Sequence, residues 1–236
     1  MKISMFVWKT SKNSSIQLIK VGITNCYLIK YDETNILVDT GQKRKSNILE
    51  SRLSASLKGK RLDYIILTHT HYDHAENANA LKELYSPELI VHESEVEFLR
   101  QGFTELPRGT NLITDLISRS GNKYARWIGE YEPVKENMEV SDNFKFDNSK
   151  NIKIIHTPGH TIGSISILID DEIALVGDTL FGIIPNKVLP PFADHMKDLY
   201  DSWKKLLETP CEKYLPAHGR LITRELLEEK FKKLNY

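Results

Sequence analysis

The sequence predicts an α+β fold in which two groups of strands pack face to face beneath outer helices. Three observations point there. Short runs of aliphatic and β-branched residues fall in two consecutive groups, one from Ile16 to Val91 and one from Phe144 to Leu215. Runs with helical spacing of apolar residues follow the strands of each group. With 236 residues, 40% of them hydrophobic, the chain can bury a sizeable core as one domain.

Taken in order, Ile16 to Lys20 and Asn25 to Tyr31 read as strands around the turn Gly22-Ile23-Thr24. Asp32 to Asn35 is a polar hairpin turn, and Ile36-Leu37-Val38 a strand ending at Asp39-Thr40-Gly41. Ser46 is placed to cap a helix with Leu49, Leu53 and Leu57 on one face, and Gly59 to end it. Leu62 to Leu67 is a buried strand, and from Ala75 to Tyr85 apolar residues recur at helical spacing. Leu89-Ile90-Val91 is a strand, with Ser94 placed to cap the helix through Val96 and Leu99.

From about residue 100 to 142 glycines and prolines interrupt the pattern. This reads as a partly helical insertion covering a site, too short for its own core. Its stripe Leu112, Ile113, Leu116, Ile117 reads as packing. Strands resume at Phe144 to Phe146, Ile152 to Ile155 and Ser164 to Ile169, the last alternating as a half-buried strand would. Ile173 to Val176 and Glu212 to Leu215 are further strands. Leu199, Trp203 and Leu206 mark one helix, and Thr223 caps a final one carrying Leu227, Phe231 and Leu234.

The 32 basic and 32 acidic residues balance. That argues against a dedicated nucleic-acid or membrane surface, though not against a small local patch. Cys26 and Cys211 lie in no metal or redox spacing and read as free thiols, Cys26 as a core residue. The first nine residues hold no apolar core of signal-peptide length, and no run reaches the roughly 18 apolar residues of a membrane span. A cytoplasmic protein acting on a small molecule is expected.

Function is concentrated in Thr68-His69-Thr70-His71-Tyr72-Asp73-His74, where a core strand stops and a helix starts. Three of the eight histidines lie here with an aspartate between the last two. Loops at strand ends expose side chains on a rigid scaffold. Three further donors follow strands and adjoin glycine: Gly159-His160, Gly177-Asp178 and His218-Gly219. An isolated His or Asp at a strand end serves caps and turns; this constellation reads instead as a metal site. Imidazole and carboxylate without thiolate suit zinc, iron or manganese, with zinc expected. His92 and His156 read as surface or packing residues, and His195 as a weak substrate-binding candidate.

On these motifs the chain resembles the metallo-β-lactamase-fold superfamily. The signature His-x-His-x-Asp-His matches His69, His71, Asp73 and His74; His160, Asp178 and His218 match the later single ligands in order; Asp39 matches the first family motif. The resemblance implies an αββα sandwich of two mixed sheets, with the site at one edge between them. It implies two divalent metals, one on His69, His71 and His160, the other on Asp73, His74 and His218, with Asp178 bridging. It makes Asp39 the carboxylate that holds a ligand histidine in its tautomer.

A hydroxide bridging two such metals, oriented by Asp73, implies hydrolysis. No general acid stands out in the sequence, which favours a thioester or a lactone over an ester with a poor leaving group. The glyoxalase II branch carries Cys-Gly-Arg after the bridging aspartate. Here Thr179-Leu180-Phe181-Gly182 follows, so glutathione recognition is not implied. The alternatives are a mononuclear iron enzyme resembling persulfide dioxygenases, a phosphodiesterase of the same fold, and a non-catalytic metal module.

Overall fold

The computed structural model describes residues 6–142, 144–146 and 151–234. The sequence reading of the first nine residues therefore lies partly outside the described residues. Among those described, seven strands form one sheet in chain order: β1 (Val7–Lys9), β2 (Ser15–Val21), β3 (Thr24–Tyr31), β4 (Thr34–Val38), β5 (Tyr64–Ile66), β6 (Glu88–His92) and β7 (Met138–Val140). Strands β1 to β4 pair antiparallel, and β4 to β7 parallel. The second sheet comprises β8 (Phe144–Lys145), β9 (Ile152–His156), β10 (Ile165–Ile169), β11 (Ile173–Gly177), β12 (Lys213–Pro216) and β13 (Ile222–Thr223). Its pairs are antiparallel except β11 with β12.

The period of two in each strand sends alternate side chains to two cores. Tyr27 and Ile29 of β3, Ile36 and Val38 of β4 and Ile66 of β5 meet Ile154, Ile165, Ile167, Ile169 and Leu175 between the sheets. Cys26, Leu28, Leu37 and Ile65 face the other way, onto α1 (Ser46–Leu57), α3 (Ala78–Tyr85) and α4 (Val96–Gln101). Behind the second sheet, Leu168, Ala174 and Val176 meet α6 (Met196–Glu208) and α7 (Arg224–Lys232) through Leu199, Trp203 and Leu227. This is the αββα sandwich. Each fully buried aliphatic side chain contributes roughly 1.5–3 kcal/mol, so the layer between the sheets anchors whatever its edge carries.

Several local readings are corrected. Strands β1, β7 and β13 escape the sequence pattern. Strand β7 lies inside the stretch read as an insertion, yet Val140 belongs to the core between the sheets. Ser46 and Ser94 do not cap: the N-cap positions fall on Lys45 and Glu95, without side-chain capping bonds. Helix α1 ends at Lys58, itself left-handed, one residue before Gly59. The helix read from Ala75 to Tyr85 is two, α2 (Tyr72–Ala75) and α3. They part at Asn77, whose side-chain amide donates to the carbonyls of Thr40 (2.8 Å) and Gly41 (2.9 Å). Strand β10 is buried on both faces, because Ser166 pairs with Thr157 (2.8 Å) beneath the outer helices. Thr223 caps α7 as expected.

The largest departure concerns α5 (Leu112–Tyr124). Its apolar stripe, read as packing, points to solvent: Leu112, Ile113, Leu116 and Ile117 are 53–91% exposed. Polar bonds fix the rotation of the helix. Asn111 and Thr114 form a capping box, while Ser118 and Asn122 bind the backbone of Leu106. Among the described residues no helix is long and apolar enough to cross a membrane.

Candidate metal centre

Strands β4 and β5 run parallel, as do β11 and β12, so the ends that carry donors gather at one edge of the sandwich. Asp39 follows β4, His69 and His71 follow β5, and Asp73 and His74 lie on α2. His160 follows β9, Asp178 follows β11 and His218 follows β12. All eight side chains are buried. The end of β11 presses close to β5. Gly177 has φ +50°, and a Cβ there would lie 2.7 Å from Thr68 Oγ1.

The seven candidate ligands converge in three overlapping groups: His69, His71 and His160; His69, His74 and Asp178; Asp73, His74 and His218. Asp178 Oδ2 lies 3.5 Å from His160 Nε2, whereas Oδ1 lies 3.7 Å from His74 Nε2 and 3.4 Å from His218 Nε2. Asp73 Oδ2 lies 3.3 Å from His218 Nε2. One carboxylate thus offers an oxygen to each end of the cluster.

Outer hydrogen bonds decide which nitrogen each imidazole presents. His74 Nδ1 donates to Asp39 Oδ2 (2.9 Å), and Asp39 Oδ1 accepts from the Thr68 amide (2.8 Å). Asp39 itself sits at φ +60°, a conformation aspartate tolerates better than most residues. His160 Nδ1 donates to the Phe192 carbonyl (2.9 Å) and His218 Nδ1 to that of Ile23 (3.1 Å). His71 is reversed: Nε2 donates to the Glu105 carbonyl (3.1 Å), leaving Nδ1 for the site. Thr24 donates to Asp73 Oδ2 (3.1 Å).

Two facts show that a cation fits. His160 Nε2 and His71 Nδ1 face each other at 3.0 Å, and both rings spend their protons elsewhere, so lone pair opposes lone pair. His69 Nε2, His74 Nε2 and Asp178 Oδ1 are buried without a hydrogen-bond partner, an arrangement that is costly unless a metal satisfies them.

Electrostatics divides the donors. Burial, reinforced by His160, pushes His71 down to about 3, and burial likewise takes His160 to about 3. Burial and His74 lower His69 well below its ordinary value. These three imidazoles are neutral and ready to ligate. Burial works against protonated His74 too, but Asp39, Asp73 and Asp178 outweigh it and push His74 up to about 10. His218 is raised the same way by Asp178 and Asp73, against burial. Burial raises Asp178, with the imidazoles of His218 and His74 opposing. For Asp73, His74 and His218 overcome burial and hold the carboxyl below its ordinary range.

A family model described as the metallo-beta-lactamase superfamily matches residues 19–218. The chain belongs to the metallo-beta-lactamase superfamily. A probable metallo-hydrolase of Methanocaldococcus jannaschii is 29% identical over 204 residues, covering 85% of this chain and 90% of that protein. A hydroxyacylglutathione hydrolase of Brucella ovis is 26% identical over 187 residues, 79% of this chain and 58% of that protein. Among solved structures, an archaeal metallo-beta-lactamase superfamily protein from Sulfolobus tokodaii superposes with a TM-score of 0.68 at 24% identity, covering 94% of this chain and 86% of that one. That likeness shows the shared fold.

Within this metallo-beta-lactamase fold, the seven residues read as ligands converge at one edge of the sandwich, with Asp39 bonded to His74. His195 does not join them: it is exposed at the start of α6, where its backbone amide bonds the Gly159 carbonyl. His92 and His156 stack on each other (4.1 Å, 16°) outside the ligand groups, a packing role. Cys26 is a core residue.

Sequence reasoning passes over Glu95. Its buried carboxylate accepts from the Thr70 amide (3.0 Å) and hydroxyl, between His69 and His71, and from the Gly163 amide (3.0 Å), just past His160. One side chain therefore ties together the two loops of the neutral-imidazole group. In Glu93-Ser94-Glu95 it looks like an acidic residue at a helix start, and no local signal separates it from its neighbours. Glu95→Ala is expected to weaken metal binding at His69, His71 and His160 by about 10- to 100-fold, as loss of outer partners does elsewhere. Competition with a chromophoric chelator measures this, and an unchanged affinity in a folded variant contradicts it.

Proposed function

We propose that this chain is a dinuclear metallo-hydrolase that cleaves an ester-type bond, a thioester or a lactone, in a small molecule. The observation that carries the proposal is the split carboxylate of Asp178. One oxygen faces His160 and the other faces His74 and His218, as two neighbouring ions would require. In this reading His69, His71 and His160 would hold one divalent metal and Asp73, His74 and His218 the other, with Asp178 placed to serve both. Zinc suits the donors, and iron or manganese would fit the same set.

Metals held there would lower the pKa of bound water from about 16 towards ~7 and polarise a carbonyl. The chain's own residues do the rest. Asp39 keeps the His74 Nδ1 proton in place and so aims Nε2 inwards. Asp73, held ionised and fixed by Thr24, accepts a hydrogen bond from the attacking water. A carboxylate with so low an affinity for protons orients the water more than it keeps its proton. The likeness to a hydroxyacylglutathione hydrolase supports an ester-type bond. The proposal places the enzyme in the cytoplasm, with no nucleic-acid or membrane partner.

The test is metal analysis of purified protein coupled to a hydrolysis screen over thioesters, lactones and phosphodiesters with zinc, iron or manganese supplied. Two metals per chain and turnover of thioesters or lactones are expected. One iron with oxygen uptake on a persulfide and no hydrolysis would overturn the proposal. Turnover of phosphodiesters alone would overturn its bond type.

A further inference from the structure

The two sides of the metal centre differ in character. Beside His71 opens a cavity of about 500 Å³ whose walls include Glu105, Arg108, Arg119, Asn122 and Asp194. On the side of His218 lies a groove of about 310 Å³ lined by Phe181, Ile183, Ile184, Leu189, Pro190 and Pro191, with Thr110, Asn111 and Lys187 also on its walls. The groove adjoins the site through Phe181, one of its walls, whose ring packs on the His218 imidazole with centroids 4.7 Å apart.

The wall of this groove is fixed to the ligand strand. The Gly182 amide donates to the His218 carbonyl (2.8 Å), and the Arg220 amide to that of Gly182 (3.0 Å). Gly219, at φ +94°, makes the approach possible: a Cβ there would lie 2.1 Å from the Gly182 carbonyl carbon. At the far side, the Thr110 amide donates to the Pro191 carbonyl (3.0 Å). A preformed apolar trough thus lies beside the His218 side of the metal centre. Yet Ile183 and Ile184 are 56% and 54% exposed and Leu189 39%. Aliphatic side chains held open on a braced wall beside a reactive centre are what an apolar ligand covers.

We infer that this groove receives the aliphatic acyl chain of the substrate, so that the enzyme acts on medium-chain acyl compounds. The inference rests on the hydrolase reading above. A carbonyl seated between the two ligand groups would have the cavity beside His71 on one side and the groove beside His218 on the other. The leaving thiol or alcohol, polar once released, suits the cavity that holds Arg108 and Arg119. The hydrocarbon chain suits the groove.

The test has a binding arm and a kinetic arm. Binding of butyrate, hexanoate, octanoate and decanoate to the zinc-loaded protein is followed by calorimetry. Affinity should rise roughly twofold to fourfold per added methylene until the groove is filled. In Leu189→Asp and, independently, Ile184→Ser, both at exposed positions that tolerate polarity, the rise should flatten while metal content stays that of the parent. In the kinetic arm, kcat/KM over acyl thioesters of increasing length should climb with the same slope and flatten in the same variants.

Chain-length-dependent binding without turnover of any ester would sink the hydrolase reading and keep the groove. Turnover of an acetyl thioester with a flat profile in both arms would sink the groove and keep the hydrolase. A dependence on the length of the leaving alcohol or thiol, with none on the acyl part, would overturn the assignment.

Discussion

Asp178→Ala is expected to strip both metals and lower hydrolysis by on the order of 10³-fold or more, beyond the 10- to 100-fold typical of outer partners. The reason lies in the position of its two oxygens, one towards His160 and one towards His74 and His218. In the proposed dinuclear centre, removing it would take a donor from each ion at once. It also removes the negative charge that would screen two cations from one another. His74→Ala gives the contrast, since His74 groups with Asp73 and His218 but not with His71 and His160. That variant should lose one metal and keep the other. Asp178→Asn controls for volume: it preserves shape but not charge, and should behave like the alanine variant. Metal content by elemental analysis, with circular dichroism to confirm the fold, reads the outcome. An Asp178→Ala protein that still holds two metals would remove the bridge from the account.

If the centre is dinuclear as proposed, acidification should empty its two metal positions in sequence, the one on Asp73, His74 and His218 first. In the metal-free protein His74 and His218 are raised above the ordinary histidine value, so at neutral pH His74 carries an Nε2 proton that a metal must displace. Below a raised pKa the proton is bound, and the metal competes less well as pH falls. Each imidazole that must be deprotonated costs up to about tenfold in affinity per pH unit. His69, His71 and His160 are lowered, the last two to about 3. His71 and His160 have no proton to give up between pH 8 and roughly pH 4, His69 is shifted in the same direction, and affinity there should hold. Titration from pH 8 to pH 5 with a metal buffer should therefore show one metal released well before the other. Simultaneous release, or earlier loss from the His69 group, would contradict this charge division.

Much of this centre is legible in the sequence because its donors stand at strand ends beside turn residues, where periodicity stops and chemistry shows. Gly177-Asp178 and His218-Gly219 announce themselves that way. The apolar runs of β3, β4, β10 and β11 are legible for the same reason that they are buried: two cores demand apolar residues on both faces. What escapes is set by partners distant in the chain. Strands β1, β7 and β13 have only two or three residues, and their existence depends on a neighbouring edge. The stripe on α5 shows that the helix has an apolar face; the bonds of Ser118 and Asn122 to Leu106 determine where it points. Glu95 is invisible because its meaning is a contact with Gly163, far along the chain.

The division of the strands carries a further consequence. The first sheet is built from residues 7–140 and the second from 144–223, and every ligand group draws on both: His69 and His71 with His160, His69 and His74 with Asp178, Asp73 and His74 with His218. Neither half alone owns a complete coordination sphere. The centre can assemble only after the halves have docked, which requires closing a loop of about ninety residues and places metal capture late in folding. Once captured, an ion that binds the docked state and not the separated halves holds the seam shut by mass action. The same atoms that the proposed chemistry uses would thus act as a rivet between two half-molecules, and a chelator would act on the joint as well as on the chemistry.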